Sequence, residues 1–152
     1  MADQVIIDRT NELHNVVKQA WDAAPQAVPF NGADTYGIVY KLKDKDGLPP
    51  NAENRPWCRV TLLFGGATRS SIGKRRTTQG GELITQIFVP NKRDNAGGIC
   101  LRLAEHVKTA YKKHRGRCDL SRILIDGNGD SGGYASALVV AQFSYEEFIK
   151  GN

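Results

Sequence analysis

The sequence predicts an α+β domain in which a single sheet of four to five strands, largely antiparallel or mixed, packs against two main helices. Three observations point there. Two long segments, one near the start of the chain and one after residue 95, carry apolar residues at the three- and four-residue spacing of a helix face. Segments 57–64 and 82–89 are rich in apolar and β-branched residues and read as strands. The resulting order is helix, strand, strand, strand, helix, strand, strand, and 152 residues suit one such domain, which buries roughly 68–70% of its unfolded surface.

In the first helix Ile6, Thr10, Leu13, Val17, Ala20 and Ala24 form the apolar stripe, widened by Val16 and Trp21. Arg9, Glu12, Asn15 and Lys18 fall on the other face. Asp3 suits its N-cap and Pro25 ends it. Tyr36, Ile38, Tyr40 and Leu42 then alternate as a short strand. Residues 43–56, KDKDGLPPNAENRP, combine Asp-Gly, a double proline and a charge cluster, which predicts a flexible, solvated loop. The strand WCRVTLLF, 57–64, places Cys58, Val60, Leu62 and Phe64 on one face and Arg59 and Thr61 on the other.

Residues 65–81, GGATRSSIGKRRTTQGG, lie between glycine pairs and carry Arg69, Lys74, Arg75 and Arg76 without one acid. This predicts a long, basic, flexible connection. Its only large apolar side chain, Ile72, cannot offset an ordering cost of roughly 1–2 kcal/mol per residue. A strand from Glu82 to Val89 follows and ends at Pro90. The second helix carries Ala96, Ile99, Cys100, Leu103, Val107, Ala110, Tyr111 and His114 on one face, and Arg102, Glu105, Lys108, Lys112 and Lys113 on the other. Asp94 or Asn95 is its cap, and Gly116 lies just past its end. Two strands, near 121–126 and 134–145, close the chain, joined by the turn GNGDSGG.

Composition narrows the function classes. Lys and Arg number 21 against 16 Asp and Glu, a formal charge of +5. Twelve of those cations fall between residues 69 and 117 against Glu82, Asp94 and Glu105, a local +9 that leaves −4 elsewhere. Such asymmetry points to a partner with a negative surface. No run approaches the ~18 apolar residues of a membrane helix, and the polar start Met1-Ala2-Asp3-Gln4 is unlike a signal peptide, so the expected place of synthesis is the cytoplasm. Three cysteines, Cys58, Cys100 and Cys118, match neither a disulfide framework nor a CxxC half-site, and are expected as buried thiols.

Each chemical motif lacks a required partner. GDSGG at 129–133 is the string around a trypsin-like serine, but that chemistry needs a base, an orienting carboxylate and oxyanion donors. His14, His106 and His114 all lie on predicted helices. Asp126-Gly127-Asn128-Gly129-Asp130 begins like a calcium loop, yet position six is Ser131 and position twelve is Ala137. Gly73-Lys74 has Thr68 and Arg75 where a phosphate-binding loop needs glycine and a hydroxyl. The expectation is therefore no catalysis, no cofactor and no metal. A small basic nucleic-acid-binding domain is the alternative, although no aromatic residues interleave with the basic ones for base stacking.

Several stretches together resemble the tail-terminator-like proteins of long-tailed bacteriophages: VPF at 28–30, PWCRVTLLFG at 56–65, RRTTQGGELITQIFVP at 75–90, GGICLRLAEHV at 97–107 and GGYASALVVAQFSYEEF at 132–148. The segment between Phe30 and Trp57 is longer than in typical members. The resemblance implies a small α+β structural virion protein that forms a hexameric ring on the head-proximal end of the tail tube. Such a ring stops tube polymerisation and joins the tube to the head connector, with the genome passing through it rather than being read by sequence. Its partners would be its own copies, the tube protein and the connector. Arg69, Lys74, Arg75 and Arg76 are then the candidate interface residues.

Overall fold

The computed structural model describes residues 2–41, 48–65, 68–69, 76–91 and 95–148. Along the chain lie α1 (Ala2–Asp22), α2 (Ala24–Ala27), β1 (Gly37–Tyr40), β2 (Trp57–Phe64), β3 (Thr68–Arg69), β4 (Arg76–Pro90), α3 (Ala96–Lys113), β5 (Asp119–Ser131) and β6 (Tyr134–Phe148). The strands form one mixed sheet in the order β1-β2-β4-β6-β5, with β3 paired to the first residues of β4. Among the described residues only β1 and β2 run parallel, and the other pairings are antiparallel. The fold is α+β, with α1 and α3 laid across one face of the sheet.

Strand parity decides what enters the core. Cys58 and Val60 of β2, Leu83, Thr85, Ile87 and Val89 of β4, and the odd residues of β6 from Ala135 to Tyr145 all face the helices and are buried. The helices answer with Leu13, Val17 and Trp21 from α1 and Cys100, Leu103, Ala104, Val107 and Tyr111 from α3. Alanines at 135, 137 and 141 keep this face of β6 low, so α3 can sit close to it. Thr85 is the buried polar residue of this face, and its hydroxyl pairs with the Tyr111 hydroxyl at 2.5 Å. Burial alone pushes the Tyr36 phenol up, and the same desolvation raises that of Tyr111 far beyond its usual value.

Several expectations are corrected. Asp3 lies inside α1 rather than capping it, and Pro25 does not stop the helical path but opens the short α2, where a missing N–H costs nothing. Ile6, placed on the apolar stripe, is 43% exposed, while its neighbour Val5 packs against the core in that turn. In the 43–56 loop, residues 48–56 are pinned: Ala52 and Pro49 pack over β1 and Trp57, and the Arg55 guanidinium donates to the Thr35 and Pro50 carbonyls. Residues 42–47 lie outside the described part. Residue 95 is the N-cap position, but its Asn side chain makes no capping bond.

The largest correction concerns glycine. Gly80 and Gly81 are not loop residues; they sit in mid-β4, paired with Ser144 and Phe143. A Cβ at Gly81 would overlap the Leu63 carbonyl oxygen of β2, so the glycine permits a close strand approach. Likewise most of GNGDSGG is strand. β5 continues to Ser131, and only Gly132 and Gly133, at φ +56° and +87°, make the turn, as a two-residue hairpin with two left-handed positions requires.

Candidate docking surfaces

Registers place the basic segments together. Ala96 begins α3 beside the end of β4, where the Cys100 thiol donates to the Ile87 or Ala135 carbonyl. α3 then runs back along the sheet until Tyr111 meets Thr85, and β5 restarts with Asp119 opposite Ser144, which is itself opposite Gly80. The turn from α3 to β5 therefore lies at the end of the sheet from which β4 and β6 extend. β4, with 15 residues at ~3.3 Å each, spans about 50 Å, whereas α3, with 18 residues at ~1.5 Å, spans about 27 Å. The excess forms an arm of β3, β4 and β6, reaching its end where Arg76 pairs with Phe148.

Of the four candidate interface residues, Arg69 and Arg76 fall in the strands of this arm. Lys74 and Arg75 lie outside the described residues. What sequence reasoning missed is the company they keep: Lys112, Lys113, Arg115 and Arg117, all exposed, stand at the same end. Arg115 donates to the Lys112 and His114 carbonyls and so closes the C-terminus of α3, where a cation suits both the unpaired carbonyls and the helix dipole.

Glu12 holds this end in place. One carboxylate oxygen accepts from the Cys118 N–H and pairs with His114 Nε2, each at 2.9 Å, and the other accepts from Arg9 at 3.0 Å. α1 is thereby bonded to the turn that carries Arg115 and Arg117. A Cβ at Gly116 would crowd the same Glu12 oxygen. Helical periodicity put Glu12 and Arg9 on the solvent face; no pattern within the first helix foretells a partner 106 residues away.

A second surface is the sheet face away from the helices. Trp57 and Phe88 stack there at 4.1 Å with Tyr134 edge-on, capped by Ala52 and Val39. Beyond that cluster the face is open. Paired rows run Thr61, Ile84, Val140, Leu124 and then Arg59, Gln86, Leu138, Asp126. Leu124 is 63% exposed and Leu63, one row further, 50%. Gln86, Asp126, Ser136 and Leu138 line a shallow groove beside the register shift at Gly127. The sequence did carry a signal: Ile84 of β4 and Leu138 and Val140 of β6 are apolar at the outward parity, among Glu82, Gln86, Ser136 and Gln142.

Several described side chains of the chemical-looking motifs hold structural contacts; Gly73 and Lys74 lie outside the described residues. Asp130 of the GDSGG string accepts from Asn91, His106 bonds the Ala20 carbonyl at 2.7 Å, His114 is held by Glu12, and His14 packs its ring on Tyr40. Among the described residues no group of three His, Cys, Asp or Glu could hold a metal ion, and no helix is long and apolar enough to cross a membrane. All three cysteines are free and buried. Burial pushes the Cys100 thiol up to about 12, and burial together with the Glu12 charge does the same for Cys118, which suits packing rather than nucleophilic attack.

No family model and no curated protein matches this chain. Its fold is similar to that of a solved protein structure, with a TM-score of 0.58 at 11% identity over 93% of this chain and 98% of that chain. At such identity the likeness shows the fold alone.

Proposed function

We propose that the chain is a tail-terminator-like subunit of a long-tailed bacteriophage, a structural protein of the virion neck. Made in the host cytoplasm, six copies form a ring that caps the tail tube, halts its polymerisation and offers its other side to the head connector. The observation that carries this reading is the gathering of cations at one end. Lys112, Lys113, Arg115 and Arg117, all exposed, stand beside the arm whose strands contain Arg69 and Arg76, and a basic end of this kind suits an acidic rim on a neighbouring protein. The resemblance of the strand and helix segments to that family supports it further.

The test is tube capping. Purified protein added to growing tail tubes should arrest extension and appear at one tube end by electron microscopy. Reversing Lys74, Arg75 and Arg76 to Glu should leave the domain folded by circular dichroism and should abolish capping. If the chain instead fails to cap tubes but binds DNA or RNA with a steep salt dependence that this triple change flattens, the nucleic-acid reading replaces it. Ser131→Ala should leave capping intact.

A further inference from the structure

We infer that neighbouring copies of this chain associate head to tail, the open sheet face of one seated on the outward face of α3 of the next. The inference rests on the ring reading above and names the ring's interface. Two kinds of observation lead to it.

The open sheet face has an apolar centre and an acidic margin. Ile84, Leu138 and Val140 are half-buried there and Leu124 is largely bare. Glu82 and Asp126 are exposed on the same face, since Glu82 shares a row with Gln142 and Asp126 with Leu138. Arg59 also lies there, but its guanidinium sits 5.5 Å from the Trp57 ring and 5.6 Å from that of Phe88, so its charge is engaged by aromatic faces. The outward face of α3 is the opposite in sign. Arg102, Lys112 and Lys113 are exposed around Thr109, against Glu105 alone, and Leu101, 38% exposed, adds an apolar contact.

Symmetry then selects the arrangement. Two sheets meeting face to face would bring two acidic margins together, and two α3 faces would bring two lysine-bearing surfaces together; either arrangement carries like-charge repulsion that sheet against helix does not. Sheet against helix matches opposite charges and covers the bare leucines. Because the two surfaces lie on opposite sides of a two-layer domain, each copy that uses one still offers the other. Such a heterologous contact repeats, and closes into a ring when its rotation divides a full turn.

Charge reversal with complementation tests this. The first variant carries Glu82→Lys with Asp126→Lys, the second Arg102→Glu with Lys112→Glu; circular dichroism and melting establish that both fold. Light scattering and crosslinking at low salt should show wild-type oligomers that weaken with salt. Each variant alone should dissociate at least about tenfold more readily. A one-to-one mixture should reassemble, because each altered sheet then meets an altered helix and each native sheet a native one, and a chain carrying all four changes should assemble alone. Variants that oligomerise as the wild type does, or a mixture that stays apart, would overturn the interface while leaving ring formation itself standing. A wild-type chain that stays monomeric up to millimolar concentration would overturn it as well, and the tube-capping experiment then decides the ring reading separately.

Discussion

The two faces of β4 and β6 are built from the same two strands, yet they do different work. Toward the helices, Leu83, Ile87, Val139 and Ala141 are fully buried and meet Leu103 and Val107. On the other side, Ile84 and Val140 stand in rows that end on a bare Leu124. Toward the helices nearly every position is apolar, whereas the open face interleaves Ile84, Leu138 and Val140 with Glu82, Gln86, Ser136 and Gln142. The helix layer removes one face from water within the chain and leaves the other uncovered by it. Apolar residues such as Ile84, Leu138 and Val140 on the second face thus mark a surface that the helices do not cover.

The sharpest way to break that comparison is truncation on the two sides. Leu103→Ala leaves a cavity between α3 and the sheet and should cost ~2–5 kcal/mol in urea unfolding. Tyr111→Phe tests the same interior more gently. It leaves the Thr85 hydroxyl buried without the partner it has at 2.5 Å, for a loss of about 1–3 kcal/mol in the same melts.

Alkaline pH probes the covered side through its thiols. An ordinary thiol ionises near 9, whereas Cys100 and Cys118 hold their protons to about 12 in the folded chain. Between those values the unfolded chain binds fewer protons than the folded one, so stability is whole below about pH 8 and falls as pH rises toward 12. Denaturation curves across that range should show the decline, and Cys100→Ala with Cys118→Ala should make it shallower without abolishing it, because burial also raises Cys58 and Tyr111. A thiol reagent should label none of the three cysteines in the native chain and all three in urea.

The smallest effects belong to the exposed surfaces. Leu124→Thr and Lys108→Ala should each shift unfolding by about 0.5 kcal/mol or less. Equal losses at Leu103 and Leu124 would erase the distinction between the two faces, and oligomer loss at Leu124→Thr without any loss of monomer stability would sharpen it.

Much of the fold was legible because it is local. In the α3 stripe Ala96, Ile99, Cys100, Leu103, Val107 and Tyr111 are buried as the periodicity predicts, with Ala110 and His114 at its edge only half-buried, and β2 spans Trp57–Phe64 as read. Glycines misled where a close approach and a turn look alike in one dimension: Gly80 and Gly81 serve a strand contact, Gly132 and Gly133 a turn. The basic segment was visible as a charge run, but not its gathering with Arg115 and Arg117 at one end of the sheet.

By itself, the sequence determined the periodic elements, the burial of the cysteines and the concentration of cations between residues 69 and 117. These follow from side-chain spacing and composition, which are properties of neighbours along the chain. Tertiary structure decided which face of the sheet the helices cover, that β1 runs parallel to β2, and that Glu12 bonds the turn before β5. Those depend on strand register and on contacts across a hundred residues, where one position's chemistry is completed by another that no local pattern specifies.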